Sequence, residues 1–335
     1  MWNFRGTGTA MPACTHDATL AFPVLVGDIG GTHIRFALCR GVHDIGRVWV
    51  RRTTDYRNLE APLREYLSQE GMSGIKTAVI GMANPIAGDQ IRMTNADWSF
   101  SIEATRRALG LEHLVLINDF SALALSIPHL PADELELIGT GQAVRNTPIG
   151  ILGPGTGLGV SGLIPGSDGK WIALASEGGH TSFSPCDETE TWLWEEARKV
   201  YGHVSMERFL SGAGLQFIHR CLSRKAGLQP EMLSPADISG RALNDGCPRC
   251  LRTLDIFSAI LGTAAANLAL TLGARGGIFL GGGIIPKLGD YFTRSPFHAR
   301  FHDKGRFGDY LAAIPVHVIR SPYPGLVGAA AHLIH

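Results

Sequence analysis

The stretch that decides the fold is Val24-Leu25-Val26-Gly27-Asp28-Ile29-Gly30-Gly31-Thr32, an apolar run that leads directly into a glycine-rich turn. A second stretch of this kind is Ile149-Gly150-Ile151-Leu152-Gly153-Pro154-Gly155-Thr156-Gly157. Each turn precedes two further strand-like segments, residues 34–39 and 48–53 in the first case and 160–164 and 170–174 in the second. The repeated order of strand, glycine turn, strand and strand predicts two related halves.

Helical and buried-strand patterns alternate through the rest of each half. The sequence predicts helices over residues 59–69, 188–200 and 205–210, and buried strands over residues 77–82, 114–117 and 277–280. Alternation of this kind indicates an α/β fold with mainly buried sheets.

The glycine turns point to a phosphate ligand. Glycine in an ordered turn costs about 0.5 to 1 kcal/mol relative to alanine, and close approach of backbone to a ligand commonly offsets this cost. Successive backbone N–H groups in a tight turn can hold an anion, and neither turn contains Lys or Arg. We therefore expect a two-lobed phosphate clamp, with a divalent metal supplying most of the positive charge. Each turn alone is also compatible with an ordinary hairpin, and neither matches a Walker A motif or a dinucleotide fingerprint.

Composition limits the classes of function. With 335 residues and 45% hydrophobic content, the chain can bury a large core and divide into two lobes. Thirty basic residues balance thirty acidic ones without a basic block, which argues against nucleic-acid binding and favours a small neutral substrate.

The long apolar stretch and the cysteines favour a protein of the cytoplasm. Residues 254–274 contain polar side chains and several alanines, so we expect a core helix and no membrane association. Residues 1–20 lack the pattern of a secretory signal and are expected to form a flexible tail. Of the six cysteines, Cys247 and Cys250 form a C-x-x-C pair, which we interpret as two reduced thiols in preference to a zinc site or a redox motif.

Eight motifs occur in order along the chain: LVGDIGGTHIRFAL (25–38), MTNADWSFS (93–101), INDFSALALSIP (117–128), GPGTGLG (153–159), SEGGHTSF (176–183), ERFLSG (207–212), GGIFLGGGIIP (276–286) and PGLVGAAAHL (324–333). Together they resemble the motifs of the bacterial-type ATP-dependent glucokinases, and the resemblance covers nearly everything from residue 24 to residue 335. The zinc-binding cysteine signature of the related repressor-type sugar kinases is absent, which indicates the zinc-free glucokinase group.

The resemblance implies the two-lobed actin/Hsp70/hexokinase-like (ribonuclease H-like) α/β fold, with duplicated βββαβαβα units and a cleft between the lobes. We expect a small α/β domain of residues 21–129 plus 324–335 and a large α/β domain of residues 130–323, following the tail of residues 1–20. The resemblance alone implies a homodimer.

Asp119 is the residue most strongly expected to carry the chemistry. It follows an apolar strand and precedes a helix, so its carboxylate should lie at the carboxyl end of a strand, where ligands of α/β proteins collect. In the resembled family this Asp is the general base that takes the proton of the attacking sugar hydroxyl. The alternative is a helix N-cap.

The resemblance implies two further sets of site residues. Sugar hydroxyls would be bound by Asn118, Asp119, Glu177, His180 and Glu207, with Asn95 and Asp97 helping to shape the pocket. Asp28 would orient Mg²⁺, directly or through water, because magnesium prefers oxygen ligands. The nucleotide would contact three glycine turns: Gly27, Asp28, Ile29, Gly30, Gly31 and Thr32; Gly155, Thr156 and Gly157; and Gly281, Gly282 and Gly283. One departure is His33, where the family more often has Asn, and it puts nucleotide affinity in question.

These residues together predict transfer of the γ-phosphoryl group of ATP to the 6-hydroxyl of D-glucose, giving glucose 6-phosphate and ADP, the first step of glycolysis. Closure of the lobes over the sugar would exclude water as a competing acceptor. Two alternatives are a kinase for another hexose and a sugar-sensing protein of the same fold without turnover.

Overall fold

The computed structural model describes residues 22–69, 74–93 and 97–334. The predicted tail of residues 1–20 and Asn95 lie outside these ranges. The strands of the described ranges are β1 Val24–Ile29, β2 His33–Gly41, β3 Asp44–Ile45, β4 Trp49–Arg52, β5 Thr77–Met82, β6 Gln90–Arg92, β7 Ser99–Ser101, β8 His113–Asn118, β9 Leu135–Ile138, β10 Ile149–Pro154, β11 Leu158–Pro165, β12 Trp171–Ala173, β13 Gly277–Leu280 and β14 Val316–Ile319.

The helices of the same ranges alternate with strands and become frequent in the second half of the chain. They are α1 Glu60–Gln69, α2 Ile102–Ala108, α3 Asp119–Ser126, α4 Glu188–Arg198, α5 Gly212–Lys225, α6 Pro235–Leu243, α7 Pro248–Leu272, α8 Asp290–Arg294, α9 Phe297–His302, α10 Gly308–Ala312 and α11 Pro324–Ala331. The segment predicted as helix over 205–210 is a short 3-10 helix, Met206–Arg208. That prediction was therefore wrong in type: the turn is held by 3-10 hydrogen bonds from Arg208 N and Phe209 N, with a single α-helical bond from Leu210 N to Met206 O before Ser211 caps α5.

Two sheets repeat one topology, which confirms the predicted duplication. In the first sheet, β1 lies between β2 and β5, β4 pairs with β2, and β8 follows β5. In the second, β10 lies between β11 and β13, β12 pairs with β11, and β14 follows β13. The glycine turns join antiparallel hairpins, β1 with β2 and β10 with β11, whereas β1, β5 and β8, like β10, β13 and β14, run parallel.

Helices α3 and α11 pack against each other between the two sheets. One core cluster contains Val26 of the first sheet, Ile151 of the second, Leu123 of α3 and Ala330 of α11. At the contact between the helices, a Cβ on Gly328 would lie 1.6 Å from the carbonyl oxygen of Ala122, so only glycine permits this spacing. The two helices therefore join the halves of the molecule at the base of the cleft described below.

Helix α7 is the predicted core helix. It is long and apolar enough to cross a membrane by length and composition, with a mean hydropathy of 1.5 in its most apolar window, but 72% of that window is buried inside the protein. It starts earlier than predicted, at Pro248, because Cys247 and Pro248 form its N-cap and first residue. Packing against α5, α6 and α9 accounts for its apolar composition.

Candidate active site

A cleft of about 240 Å³ lies where the carboxyl ends of β1, β5, β8 and β10 converge. Both halves of the chain contribute, since the cleft is lined by residues that follow strands of each sheet. It brings together most of the residues singled out from the sequence: Gly30, Gly31, Asn118, Asp119, Gly155, Thr156, Gly157, Glu177, His180, Glu207 and Gly282.

Other candidate residues lie outside the cleft lining. Gly27 faces the core of the first sheet, where a Cβ would come within 2.5 Å of Ile80 Cδ1, and Ile29 is fully buried. Asp28, Thr32, Gly281, Gly283 and Asp97 also fall outside the lining. For Gly27 and Ile29, the structure indicates support of the first hairpin from within the sheet.

Asn118 is the N-cap of α3, a role that the sequence left open for Asp119. The Asn118 Oδ1 atom accepts hydrogen bonds from the backbone N–H groups of Phe120 at 2.9 Å and Ser121 at 3.0 Å. Asn118 Nδ2 donates to Asp119 Oδ1 at 3.2 Å, and this oxygen also accepts from Phe120 N. Asn118 therefore satisfies the N-terminus of α3, and Asp119 Oδ1 accepts the bonds from Asn118 Nδ2 and Phe120 N. The other carboxylate oxygen of Asp119 is left for another partner.

The surroundings of Asp119 raise the pKa of its carboxyl group. Its pKa is raised from 3.8 to about 7, chiefly by burial, and further by the negative charges of Asp28 and Glu177, while backbone hydrogen bonds oppose the shift. A general base works best with a pKa close to the working pH, because it is then both deprotonated and a good proton acceptor.

Asp28 is held by an ion pair across the first hairpin. Its Oδ2 atom accepts from Arg35 Nη1 at 2.9 Å, and the register of β1 with β2 pairs the two residues directly. Burial raises the Asp28 pKa, whereas the Arg35 charge and hydrogen bond lower it. Part of the Asp28 side chain remains exposed, and the Arg35 guanidinium partly balances its charge.

The second hairpin is bound to Glu207. Glu207 Oε2 accepts from the backbone N–H of Leu158 at 2.8 Å, and a Cβ on Gly157 would lie 2.3 Å from the same oxygen. Gly155 N donates to Gly157 O at 2.8 Å, and Gly155 O accepts from Gly212 N at 2.9 Å. The absence of a side chain at Gly157 therefore allows a carboxylate to lie against the hairpin backbone.

Glu177 and His180 lie on one short loop beside this hairpin. The 3-10 helix Gly178–His180 follows Glu177, and His180 Nε2 lies 4.0 Å from Glu177 Oε2. The loop packs so closely on β11 that a Cβ on Gly179 would lie 2.0 Å from the Leu158 carbonyl oxygen. Both side chains are more than half exposed, so they are accessible to a polar ligand in the cleft.

The third glycine turn also packs on the second hairpin. Gly282 has φ of +79°, and a Cβ there would lie 2.4 Å from the carbonyl oxygen of Pro154. Gly283 has open space around its Cα, with no atom within 4 Å of a built Cβ. Gly282 is thus required by the fold, whereas Gly283 is not.

Sequence analysis missed Asn84 and Phe120, which also line the cleft. Asn84 is buried and follows β5, a strand parallel to β1 and β8, so its position at a strand end was a usable signal. The Phe120 ring lies against Gly159, where a Cβ would be 1.9 Å from the ring. Nothing in the sequence around Phe120 indicates this contact between α3 and β11.

A magnesium ion in this cleft would have to be held mainly by a bound nucleotide and by water. In the described ranges, no group of three or more His, Cys, Asp or Glu residues could hold a metal ion by itself. Magnesium at phosphate-transfer sites is commonly held by one or two carboxylates plus phosphate oxygens and water. The carboxylate of Asp28, only partly satisfied by Arg35, fits that requirement.

Comparison with known proteins identifies the family of the chain. A family model described as glucokinase matches residues 25–335. The glucokinase of Chromobacterium violaceum is 53% identical over 313 residues, which are 93% of this chain and 90% of the relative.

Solved structures share the fold. The crystal structure of glucokinase from an Antarctic psychrotroph has a TM-score of 0.82 at 35% identity, over 93% of this chain and 99% of that one. A ROK family glucokinase from Streptomyces griseus, solved with glucose and AMPPNP, has a TM-score of 0.67 at 18% identity, over 92% of this chain and 97% of that one. The two-lobed actin-like fold of the sugar kinases is confirmed. The chain belongs to the glucokinase family, whose reaction is ATP-dependent phosphorylation of glucose.

Proposed function

We propose that Asp119 is the general base of this glucokinase and takes the proton of the glucose 6-hydroxyl as its oxygen attacks the γ-phosphorus of ATP. The observation that carries the proposal is a half-buried carboxylate in the cleft with a pKa near 7, fixed through Oδ1 by Asn118 Nδ2 and Phe120 N. Positioning and charge stabilisation supply most of the rate in phosphoryl transfer, and a positioned base adds about 10²- to 10⁴-fold.

Binding of glucose is assigned to Asn118, Glu177, His180 and Glu207 together with Asp119. A sugar offers several hydroxyls that both donate and accept, and these side chains supply both kinds of partner. Because Asn118 Oδ1 is used by the helix terminus and one N–H of Nδ2 donates to Asp119, the second N–H of Nδ2 is the part that remains for the sugar. Glu207 has one oxygen on Leu158 N, so its other oxygen is assigned to the sugar.

The phosphates of ATP are assigned to the three glycine turns. Backbone N–H groups of Gly31 and Thr32 would approach from one side and those of Thr156 and Gly157 from the other, with Gly27, Asp28 and Ile29 supporting the first turn. The N–H groups of Gly30 and Gly155 donate to His33 O and Gly157 O, so these two glycines would contribute close backbone approach without a side chain. Gly281, Gly282 and Gly283 are assigned to the adenosine side. Backbone donors suit the charge that spreads over the transferred phosphoryl oxygens.

Mg²⁺ is the metal that we assign to the nucleotide, with Asp28 holding it directly or through water. When bound, the ion neutralises phosphate charge. The side chains that position it are Asp28 and, through the ion pair, Arg35.

Closure of two lobes over glucose would exclude water, and we assign residues 21–129 and 324–335 to the small lobe and residues 130–323 to the large lobe. The separate sheets of the two halves support this division. We also propose a cytoplasmic location and a homodimer, both of which rest on family membership. Sedimentation velocity of the full chain measures the oligomeric state.

The testing experiment measures ADP release from MgATP with glucose, mannose, fructose or no sugar. Release that depends on glucose and exceeds release with the other sugars supports the proposal. Glucose binding without sugar-dependent ADP release from folded protein would contradict it and favour a sensor.

A further inference from the structure

The start of α7 carries the pair Cys247-Pro248-Arg249-Cys250, which the glucokinase reaction does not use. Cys247 is the N-cap residue of the 25-residue helix and is half-buried, while Cys250 is fully buried. Residues three apart at the start of a helix lie on one face, with Cβ atoms about 5 to 6 Å apart. The two Cβ atoms of a disulfide lie about 4 Å apart, so the two residues would have to move slightly closer together. A helix end allows such a movement because its terminal turn frays.

The two thiols have different surroundings. The backbone N–H groups of Arg249 and Cys250 lie close enough to Cys247 to lower its pKa, although they form no capping hydrogen bond of standard geometry. Burial and, to a lesser extent, the neighbouring Cys247 thiol raise the pKa of the Cys250 thiol to about 12. An accessible thiol at a helix N-terminus followed by a buried one is the arrangement of an attacking and a resolving cysteine.

A metal site does not explain the pair. No third ligand accompanies the two thiols, because the described ranges contain no group of three potential ligands. Two cationic side chains, Arg249 and Arg241, lower the pKa values of the pair, and Arg241 is ion-paired with Glu231 at 2.6 Å. Arg249 therefore favours an anionic partner over a cation and would attract a carboxylate of a peptide disulfide such as oxidised glutathione.

We propose that Cys247 and Cys250 form a thiol–disulfide exchange site for low-molecular-weight disulfides. The Cys247 thiolate attacks one sulfur of the disulfide R–S–S–R, forming a mixed disulfide and releasing one R–S⁻, which takes the proton that Cys247 lost. Cys250, on losing its proton, attacks the Cys247 sulfur and releases the second R–S⁻, which takes that proton. The protein pair is oxidised by two electrons, and the small disulfide is reduced to two thiols.

The test uses the full chain in a Cys14→Ser background, treated with oxidised glutathione at pH 7.5 and analysed by intact mass and peptide mapping after alkylation. We expect loss of two hydrogens at Cys247 and Cys250, with Cys247 reacting several-fold faster than the exposed Cys186 in the same molecule. The Cys250→Ala variant should stop at one glutathione adduct on Cys247, and Cys247→Ser should form neither product.

Two results would overturn the proposal. One is a reduced Cys247 that is modified no faster than Cys186; the other is a stable glutathione adduct on Cys247 in the unsubstituted pair, with no intramolecular disulfide. Because Cys250 is buried, circular dichroism and glucose phosphorylation of each reduced variant confirm folding before the comparison. The Cys247→Ser variant alone keeps the test decisive if Cys250→Ala fails to fold.

Discussion

Glu207 Oε2 accepts a hydrogen bond from the backbone N–H of Leu158 at 2.8 Å, across 49 positions of sequence. One residue that we assign to glucose therefore also holds the hairpin that we assign to the ATP phosphates. His180 shares the cleft but reaches the hairpin only through the packing of its loop. The contact gives the two substrates a direct physical connection through a single carboxylate.

Loss of the Glu207 carboxylate should weaken both substrates. For Glu207→Ala we expect KM for glucose and KM for ATP each to rise about tenfold or more, because a hydrogen bond to a charged group contributes about 1.5 to 3 kcal/mol. Steady-state kinetics with each substrate varied in turn measures this. His180→Ala is the matched control and should raise KM for glucose alone; an unchanged KM for ATP in Glu207→Ala would refute the connection.

A methyl group at Gly157 should disturb the same contact from the other side. In Gly157→Ala the new Cβ would lie 2.3 Å from Glu207 Oε2, so the carboxylate must leave Leu158 N. We expect KM for ATP to rise several-fold and the free energy of unfolding to fall by about 1 kcal/mol. Gly202→Ala, which meets no atom within 4 Å, is the control and should behave as the unsubstituted chain.

A substitution at Gly283 tests nucleotide binding separately from folding. A Cβ there meets no protein atom within 4 Å, so Gly283→Ala should leave thermal stability unchanged. If the third turn approaches adenosine as proposed, the same variant should raise KM for ATP. An unchanged KM for ATP, with KM for glucose as the internal reference, would remove Gly283 from the nucleotide site.

The pH dependence of activity should report Asp119. Because the carboxylate form is the base, kcat/KM for glucose should fall about tenfold per pH unit below the pKa of about 7. Asp28→Asn removes a negative charge that raises the pKa of Asp119. The midpoint of the pH profile of this variant should therefore move to lower pH, even if its maximum activity is also reduced. A profile that is flat between pH 5 and pH 8 would exclude Asp119 as the base.

The ionised carboxylate of Asp119 should also lower the free energy of unfolding at neutral and alkaline pH. Its pKa in the folded protein, about 7, exceeds the ordinary value of 3.8, so the folded state binds the proton more tightly and loses stability as pH rises between these values. Asp119→Asn removes the buried charge and should raise the free energy of unfolding at pH 8 by about 2 kcal/mol. Denaturant titrations should show this gain shrinking toward pH 4; a gain that is the same at both pH values would contradict the assigned cause.

The fold followed from the sequence because its determinants are local and repeated. Each apolar run, glycine turn and alternating strand could be recognised separately, and the same order appears in β1, β2 and β4 and again in β10, β11 and β12. The start of α7 and the 3-10 type of the helix Met206–Arg208 were not predicted, because helix ends depend on capping and packing contacts of only a few residues. These are the features on which short sequence patterns carry least information.

The site could be predicted as a set of residues and not as a set of contacts. Strand ends indicated Asp119 and, in retrospect, Asn84, but the bond from Leu158 to Glu207 depends on how distant segments pack. The N-cap at Asn118 was obscured because adjacent Asn and Asp residues can each cap a helix. Gly157 and Gly159 leave room for the side chains of Glu207 and Phe120, and no sequence pattern within the β10–β11 hairpin indicates these two contacts.

Single-turnover formation of glucose 6-phosphate by the Asp119→Asn variant, with saturating glucose and MgATP, measures directly whether Asp119 is the general base. Glucose binding, followed by calorimetry, establishes that the site is intact. We expect glucose binding to be retained while the rate of product formation falls by about 10²- to 10⁴-fold. A rate within tenfold of the unsubstituted chain would show that Asp119 is not the base.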